Sequence, residues 1–349
     1  MWTCVRIGSH LAVARPVRPL YAPGVAKTGT KELTKELAAL AQQSAWQDVA
    51  GARKTLADAL ASQQATLIAQ AARIIEEHKP SGFELPLRAA FRALSGPRAS
   101  SLDPGAVAKL ALVAALDALD DSDVELFGDA AQYVQLDRMK GGPRDTAAGV
   151  RARGLLGIAR LGHPDWLLLL GAGLGDRDPT VRLSAARAVT HRGLREGAGL
   201  LLLRLGAGDE LPEVLIECLR GLLALAPDLG LRAARTQLRD GAEAQREQTL
   251  HALGTAASDA AVELLAEELE LQSLANEREP IIRALGLSRR PRARDLLITL
   301  VSGDRSSDAE AALSALAIHR YDERLTAQLR ELTAHSRELS ARFRGLFAS

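Results

Sequence analysis

The seven histidines are the first residues to consider, because imidazole is the commonest metal ligand among side chains. They are scattered along the chain: no two stand four residues apart, and none is followed directly by glutamate. Metal ligands on helices have to converge from one helix face. We therefore predict no metal site. The positions are His10, His78, His163, His191, His251, His319 and His335.

The sequence also gives no indication of a catalytic cysteine or of a calcium-binding carboxylate cluster. Cys218 lies in the apolar run 214–223, which is typical of a buried small side chain and not of a nucleophile. The acidic string 120–125 lacks the glycine and the closing glutamate of a calcium loop, so we interpret it as a turn and a helix cap. We expect no catalytic residue and no cofactor.

Two arginines, Arg151 and Arg182, occupy equivalent places early in two predicted helices. They could form a row that binds a ligand. The alternative, which we favour, is that they pair with acidic residues such as Asp176 or Asp178 at neighbouring helix starts. Asp178 followed by Pro179 is itself a typical helix start, with aspartate as the N-cap and proline in the first helical position.

Charge alternates along three predicted helices in the second half of the chain. Segment 227–241 is weakly basic, 257–273 is strongly acidic and 289–304 is basic. Like charges share one helical face in each segment: Arg232, Arg235 and Arg239, then Glu263, Glu267 and Glu270, then Arg290 and Arg294. One interpretation is a ladder of ion pairs between helices, each contributing about 0–1 kcal/mol if exposed. The other is a charge mosaic that binds a protein partner, and both can hold.

The alternating charges fit a nucleic-acid partner less well than a protein partner. A groove for a phosphate backbone needs one sign of charge along its length, and the acidic segment would repel phosphates. Trp166 is the one tryptophan between residues 147 and 336, so an aromatic wall that could grip a base is thin. We therefore predict a protein partner that contacts the eight charged residues, with Trp166 as an additional anchor.

Composition sets wider limits on function. The 349 residues carry 44 Lys and Arg against 43 Asp and Glu, so there is no global basic field. The two cysteines, Cys4 and Cys218, are too few for a disulfide framework and fit a reducing compartment, so we expect a cytoplasmic protein. No stretch approaches the ~18 apolar residues of a membrane span.

The first 29 residues differ from the rest. They contain four basic residues and three prolines, and no acidic residue occurs before Glu32. We interpret 1–29 first as a disordered tail or as a spurious leader, with translation beginning at Val25. A transit peptide ranks second, and a secretory signal ranks last because no continuous apolar stretch is present.

Periodic apolar residues predict helices for most of the remaining chain. Segment 30–136 is expected to form irregular helix pairs, with Asp103 capping a helix that begins near Pro104 and a further helix near 122–136. Segment 137–146, which contains Lys140-Gly141-Gly142-Pro143, is expected to be a loop. The terminal segment 337–349 is expected to cap the last repeat or to dock on a partner.

Between 147 and 336 one unit is repeated six times. An apolar pair recurs at spacings of 31 to 33 residues: Leu155/Ile158, Ala186/Val189, Leu219/Leu222, Leu250/Leu253, Ile282/Leu285 and Leu313/Leu316. Each copy is followed by a turn and a second apolar helix. A period of this length made of two helices predicts an all-α fold, an α-solenoid or superhelix of antiparallel helix pairs, because one pair alone cannot bury its apolar face.

The amino-acid sequence of the repeat resembles that of a known family. Residues 176–188 read Asp-x-Asp-Pro-x-Val-Arg-x-x-Ala-x-x-Ala, and Ala-Leu-Gly closes two other copies at 252–254 and 284–286. This is similar to the short bacterial HEAT repeat, also called the phycobilisome-lyase-like HEAT repeat. The resemblance covers 147–336 well and 30–136 weakly, and it implies the fold but no single function.

The resemblance implies three functional hypotheses. We favour a non-enzymatic scaffold or adaptor that binds a partner along the solenoid groove, which the second helix of each HEAT repeat usually lines. The family also includes proteins that attach or detach bilins, which a change of visible absorbance on mixing with bilin would support. A DNA-lesion binding protein is the third, and it requires salt-dependent duplex binding.

Overall fold

The structure is a computed structural model that describes residues 27–42, 51–96 and 98–347. Most of the predicted leader, residues 1–26, lies outside the described residues, but its end does not: helix α1 begins at Lys27. The helices before the regular array are α1 Lys27–Leu40, α2 Ala52–Ala61, α3 Ala65–His78, α4 Glu84–Leu94, α5 Ala99–Leu102, α6 Val107–Ala118 and α7 Val124–Ala131.

Helix α6 is the centre of this N-terminal part. It packs along α3 and α4 on one side and reaches α8 of the regular array on the other. The Asp103 carboxylate accepts hydrogen bonds from the backbone N–H groups of Ala108 and Lys109, both at 3.0 Å. It therefore serves the first turn of α6 as predicted, but the α-helix begins at Val107 and not near Pro104, and its N-cap residue is Ala106. A short 3-10 turn at Pro104–Ala106 separates the aspartate from the α-helix proper.

The segment 137–146, predicted to be a loop, contains most of an antiparallel hairpin. Strand β1 spans Leu136–Met139 and β2 spans Gly142–Asp145, with Leu136 opposite Asp145 and Met139 opposite Gly142. Gly141 and Gly142 have φ values of 103° and 116°, which favour glycine and allow the chain to reverse. The hairpin also shortens the helix predicted near 122–136, because α7 ends at Ala131.

From residue 148 the helices alternate between two sets. The first helices of the pairs are α8 Ala148–Leu161, α10 Pro179–Arg192, α12 Pro212–Leu225, α14 Glu243–Thr255, α16 Ala275–Leu287 and α18 Ser306–Leu316. The second helices are α9 Trp166–Leu174, α11 Ala198–Ala207, α13 Pro227–Asp240, α15 Asp259–Leu271, α17 Pro291–Val301 and α19 Glu323–Thr333.

Each first helix from α8 to α16 packs against the next first helix and against its own second helix. The twelve residues of the six predicted apolar pairs are all buried along this line of contacts. The prediction of an all-α solenoid of antiparallel, HEAT-like helix pairs is therefore confirmed. Stacking is what buries the core, since each pair contributes only one layer to a continuous apolar interior.

Small residues allow the first helices to approach closely. A Cβ atom on Gly254 of α14 would collide with the backbone of Ala284 in α16. Gly157 of α8 in the same way makes room for the ring of Phe127 in α7. The alanine- and glycine-rich composition of these helices follows from this close packing.

Helix α20, Arg337–Phe347, closes the described part of the array by packing against α18 and α19. It buries Phe343 and Phe347, whose rings stack with centroids 5.0 Å apart. Arg342 reaches back to α18, where its Nη2 donates to the Ser314 hydroxyl at 3.0 Å. Within the described residues, no helix combines the length and the apolar character that crossing a membrane requires.

Candidate functional site

The arginines at the starts of the first helices are buried and tie neighbouring repeats together. The Arg151 guanidinium donates to both oxygens of Asp176, at 2.7 and 3.0 Å, and to the carbonyl oxygen of Tyr133 at 3.1 Å. It also forms an ion pair with Asp145 at 2.7 Å. We call an arginine of a first helix, together with the aspartate before a later first helix, an inter-repeat clamp.

Arg182 forms the next inter-repeat clamp with Asp209, at 2.8 and 2.7 Å. Arg204 also binds this carboxylate. Burial of Asp209 alone would raise the pKa of its carboxyl group. The hydrogen bonds from Arg182, from the backbone N–H of Leu211 and from Arg204 outweigh burial and hold that pKa at about 2.

Three of the aspartates that bind these arginines also close the turn before a first helix. Asp145, Asp176 and Asp209 stand three residues before α8, α10 and α12, and each accepts the backbone N–H two residues further on. One carboxylate thus closes a turn and receives an arginine from elsewhere in the array. The distances of those three backbone bonds are 3.0, 2.9 and 2.9 Å.

The predicted pairing of these arginines is confirmed, with one change of partner. Arg151 binds Asp176 as predicted, whereas Arg182 binds Asp209 of the next repeat and uses only the backbone carbonyl of Asp176. Asp178 caps α10 through the N–H of Thr180 at 2.9 Å, as predicted. A row of ligand-binding arginines does not fit, because the guanidinium groups are enclosed by these partners.

The row of clamps is not continuous. In α16, Arg278 binds Asp308 at 2.9 Å and the carbonyl of Gln272 at 2.9 Å. In α12, the equivalent position is Leu215, so Asp240 before α14 has no clamp arginine and pairs with its neighbour Arg239. In α14, the arginine is present as Arg246, but the position before α16 is Gln272.

Several of the charged residues predicted to contact a partner form a ladder between second helices. Arg235 of α13 binds Glu267 of α15 at 2.7 Å. Arg290, just before α17, binds Asp259 of α15 at 2.6 and 2.7 Å. These side chains are each about half exposed, so the ion pairs lie on the surface. The hydrogen bonds from Arg290 lower the pKa of Asp259.

The structure adds residues to this ladder that the sequence analysis did not single out. Glu263 of α15 pairs with Arg292 at 2.8 Å, and Arg294 of α17 lies 4.0 Å from Asp322 at the start of α19. Arg292 stands two residues from a predicted contact, Arg290, on a different side of the helix. Helical spacing alone therefore gave no reason to choose it.

Not all predicted contact residues belong to the ladder. Arg232 and Glu270 are exposed and make no ion pair within the described part of the chain, and Arg239 pairs only with its neighbour Asp240, at 2.8 Å. Trp166 is 9% exposed and its ring lies against Gly197 in the interior between α9 and α10. We therefore leave it out of the contact surface, since a buried indole is not presented to a partner.

An uncharged apolar surface covers the second helices α9 and α11. Leu168 of α9 and Leu203 of α11 are each 73% exposed, and Leu167 and Leu202 beside them are partly exposed. The residues between them are small: Gly171 and Ala172 in α9, and Gly199, Gly206 and Ala207 in α11. We call this the leucine face. The sequence predicted only a second apolar helix after each repeated pair, because α9 is apolar on all sides and periodicity cannot tell which side faces outward.

The described part of the chain contains neither a metal-binding cluster nor a reactive cysteine. No group of three or more His, Cys, Asp or Glu side chains there is placed to hold a metal ion. Cys218 is fully buried in α12, and burial raises the pKa of its thiol to about 12. Such a thiol stays protonated near neutral pH and is a poor nucleophile.

Comparison with known proteins gives limited information. No protein-family profile matches this chain, and no curated protein is similar to it in sequence. The complex of CpcE and CpcF of phycocyanin lyase from Nostoc sp. PCC7120 is 17% identical, over 79% of this chain and 93% of that chain, with a TM-score of 0.34. Human deoxyhypusine hydroxylase in complex with glycerol is 16% identical, over 85% of this chain and 100% of that chain, with a TM-score of 0.27. Likenesses this distant carry no argument about function.

Proposed function

We propose that this protein is a HEAT-type scaffold that binds a protein partner through the outward surface of its second helices and performs no chemistry itself. The observation that carries the proposal is the leucine face. Four exposed leucines lie on two helices that contact each other, and a cluster of exposed apolar side chains on a soluble protein often marks an interaction site.

The charge ladder on the second helices α13 to α19 supports the same proposal. Exposed ion pairs such as Arg235 with Glu267 contribute only about 0–1 kcal/mol each, so a partner can exchange its own charges with them at little cost. Arg232 and Glu270 offer further charges that have no ion-pair partner among the described residues. Apolar contact would supply affinity, and the alternating charges would select the partner and its orientation.

Affinity capture from the native source, with identification by mass spectrometry, tests the proposal. The double variant Leu168→Glu/Leu203→Glu should lose the partner that the wild type retains. The control Leu85→Glu/Ile318→Glu should keep it, because Leu85 and Ile318 are similarly exposed but lie on α4 and in the turn after α18. If both double variants retain the same partners, the leucine face is not the binding surface.

A second variant tests the ladder separately. Reversal of Glu263, Glu267 and Glu270 to lysine leaves the leucine face intact but opposes the ladder arginines with like charge. We expect weaker capture of the same partner, with an effect that shrinks as salt is added. Unchanged capture at low salt would remove the ladder from the proposed contact surface.

A further inference from the structure

The β-hairpin between α7 and α8 presents an unusual set of side chains to solvent. Leu136 and Met139 are 60% and 52% exposed, and Val134 just before the hairpin is exposed as well. Arg138, Lys140 and Arg144 are exposed too. The one acidic residue between 134 and 144 is Asp137, which is buried. The exposed part of the hairpin is therefore both basic and apolar.

Buried polar residues hold the hairpin in place. The Asp137 carboxylate accepts from the backbone N–H of Gly105 at 2.6 Å and from the Thr146 hydroxyl at 2.8 Å. The side-chain amide of Gln135 donates to the carbonyl oxygen of Asp103 at 2.8 Å. Burial works to raise the pKa of Asp137, but the hydrogen bonds from Gly105, Thr146 and Gln135 lower it, so the carboxylate is held ionised.

The support under the hairpin continues into α6. Lys109 and Asp103 form a fully enclosed ion pair at 2.9 Å, and the ammonium group also donates to the carbonyl of Leu94 at 3.3 Å. An isolated two-stranded hairpin is at best marginally stable in water. Here satisfied buried groups fix its backbone to the turn at 103–105, so the hairpin keeps its shape before any partner arrives.

The cations of the hairpin differ from most of the other arginines described above. Arg151, Arg182, Arg235 and Arg278 each form an ion pair with a carboxylate. Arg138, Lys140 and Arg144 form none within the described residues. Arg98 adds a fourth such cation nearby, because the hydroxyl of Ser100, two residues on, donates to the carbonyl of Leu136 at 3.4 Å. We call Arg98, Arg138, Lys140 and Arg144 the hairpin cations.

We propose that the hairpin is a second docking element, which binds an acidic segment of a protein partner that also carries aliphatic side chains. Carboxylates of that segment would pair with the hairpin cations, and its aliphatic groups would cover Leu136 on one face of the strand and Met139 on the other face, beside the turn. A nucleic acid would satisfy the cations but leave the aliphatic side chains uncovered. Tyr133, the aromatic residue next to this element, is turned inward against Phe91 and Lys109, so it is not available to stack on bases.

Fluorescence anisotropy with the full-length protein tests this directly. The probe is a short labelled peptide of glutamate and leucine, compared with a peptide of glutamate and glutamine and with labelled duplex and single-stranded DNA. We expect the glutamate–leucine peptide to bind most tightly, with an affinity that falls as salt rises. Arg138→Glu/Lys140→Glu should weaken it at least about tenfold. Leu136→Ser/Met139→Ser should weaken it while leaving its salt dependence in place.

The matched control is Arg324→Glu/Arg337→Glu, which changes the net charge of the protein by the same amount as Arg138→Glu/Lys140→Glu. Arg324 and Arg337 are exposed and lie at the starts of α19 and α20, away from the hairpin in the sequence. The control variant should bind the peptide like the wild type, with an unchanged helical circular dichroism spectrum. Equal weakening in the control and in the hairpin variant would overturn the proposal, as would tight DNA binding that the hairpin variant abolishes, or no peptide binding at all.

The inference rests on the proposed function only in that the partner is a protein. The leucine-face variant Leu168→Glu/Leu203→Glu separates the two. If it binds the peptide normally but captures no partner, both surfaces act as proposed. If it captures partners normally while the hairpin variant loses the peptide, the scaffold proposal fails on the leucine face and the hairpin proposal stands.

Discussion

At the residue scale, the decisive contacts are those in which one carboxylate serves two purposes. Asp176 and Asp209 each close a turn and receive an arginine that stands 25 or 27 residues earlier. Sequence spacing predicted that Arg151 and Arg182 pair with acids at helix starts. It could not fix which acid Arg182 would use, because that depends on how far one repeat is displaced from the next.

We expect the loss of a buried clamp arginine to lower the free energy of unfolding more than the loss of an exposed ladder arginine. Arg182→Ala leaves Asp209 enclosed with Arg204 as its remaining ion-pair partner, so we expect a loss of about 3 kcal/mol. Arg235→Ala removes an exposed pair and should cost less than about 1 kcal/mol. Urea denaturation followed by circular dichroism measures both. Equal losses would show that the clamp contributes no more than a surface pair.

The depressed pKa of Asp209 makes a pH-dependent prediction. Its folded pKa of about 2 is below the unfolded value of 3.8, so protons bind the unfolded state first as pH falls. The stability that this carboxylate contributes is complete above about pH 4 and is lost as the pH falls toward 2. The difference in melting temperature between wild type and Asp209→Asn should therefore be largest near neutral pH and narrow below pH 4.

At the scale of elements, the helices were predictable and the hairpin was not. Apolar residues at helical spacing marked α8 to α19, and all twelve residues of the repeated pairs are buried. The hairpin strands are only four residues long, and the strands and the turn between them contain two glycines and a proline, a composition typical of a loop. What makes them strands is the anchoring of Gln135 and Asp137 to residues about 32 positions earlier, and local sequence does not report such contacts.

Two glycines in helices should respond to alanine in opposite directions. Gly254 faces the backbone of Ala284 across the contact between α14 and α16, so Gly254→Ala should destabilise the array by about 1–3 kcal/mol. Gly206 in α11 faces open space, so Gly206→Ala should stabilise it by about 0.5 kcal/mol through helix propensity. Thermal melts of the two variants decide this. Similar shifts in both would mean that close packing of the first helices is not what requires glycine.

At the scale of the whole molecule, the repeat was predictable while the interaction surfaces were not. A 31-to-33-residue period specifies stacking, because an unstacked helix pair leaves its apolar face in water. Which side of α9 faces outward depends on the neighbouring helices, and this is why the sequence alone did not mark Leu168 as a surface residue although it is 73% exposed. The charge ladder was found from like charges on one helix face, but its partners Asp259 and Arg292 became visible only when adjacent repeats were placed together.

The stability of a stacked array is the sum of the stabilities of its repeats and of the contacts between them. A weak contact between two repeats therefore makes the helices beside it open more readily than the rest. Helix α14 lies between two junctions without a clamp: Leu215 cannot pair with Asp240, and Arg246 stands opposite Gln272 in the repeat register. We expect amides of α14 to exchange with deuterium faster than those of α10, which Arg182 and Asp209 hold to its neighbour.

Adding the missing aspartate of one clamp should slow the amide exchange of α14. Gln272→Asp places a carboxylate three residues before α16, the position that Asp176 and Asp209 occupy before their helices. It should bind Arg246, raise the melting temperature and slow exchange in α14, because a partly buried charge-assisted pair is added at a junction that lacks one. Gln272→Asn has the same size without the charge and should do neither. If the two variants behave alike, or if exchange slows throughout the array and not around α14, the junctions do not act as separate units and the clamp has no local effect.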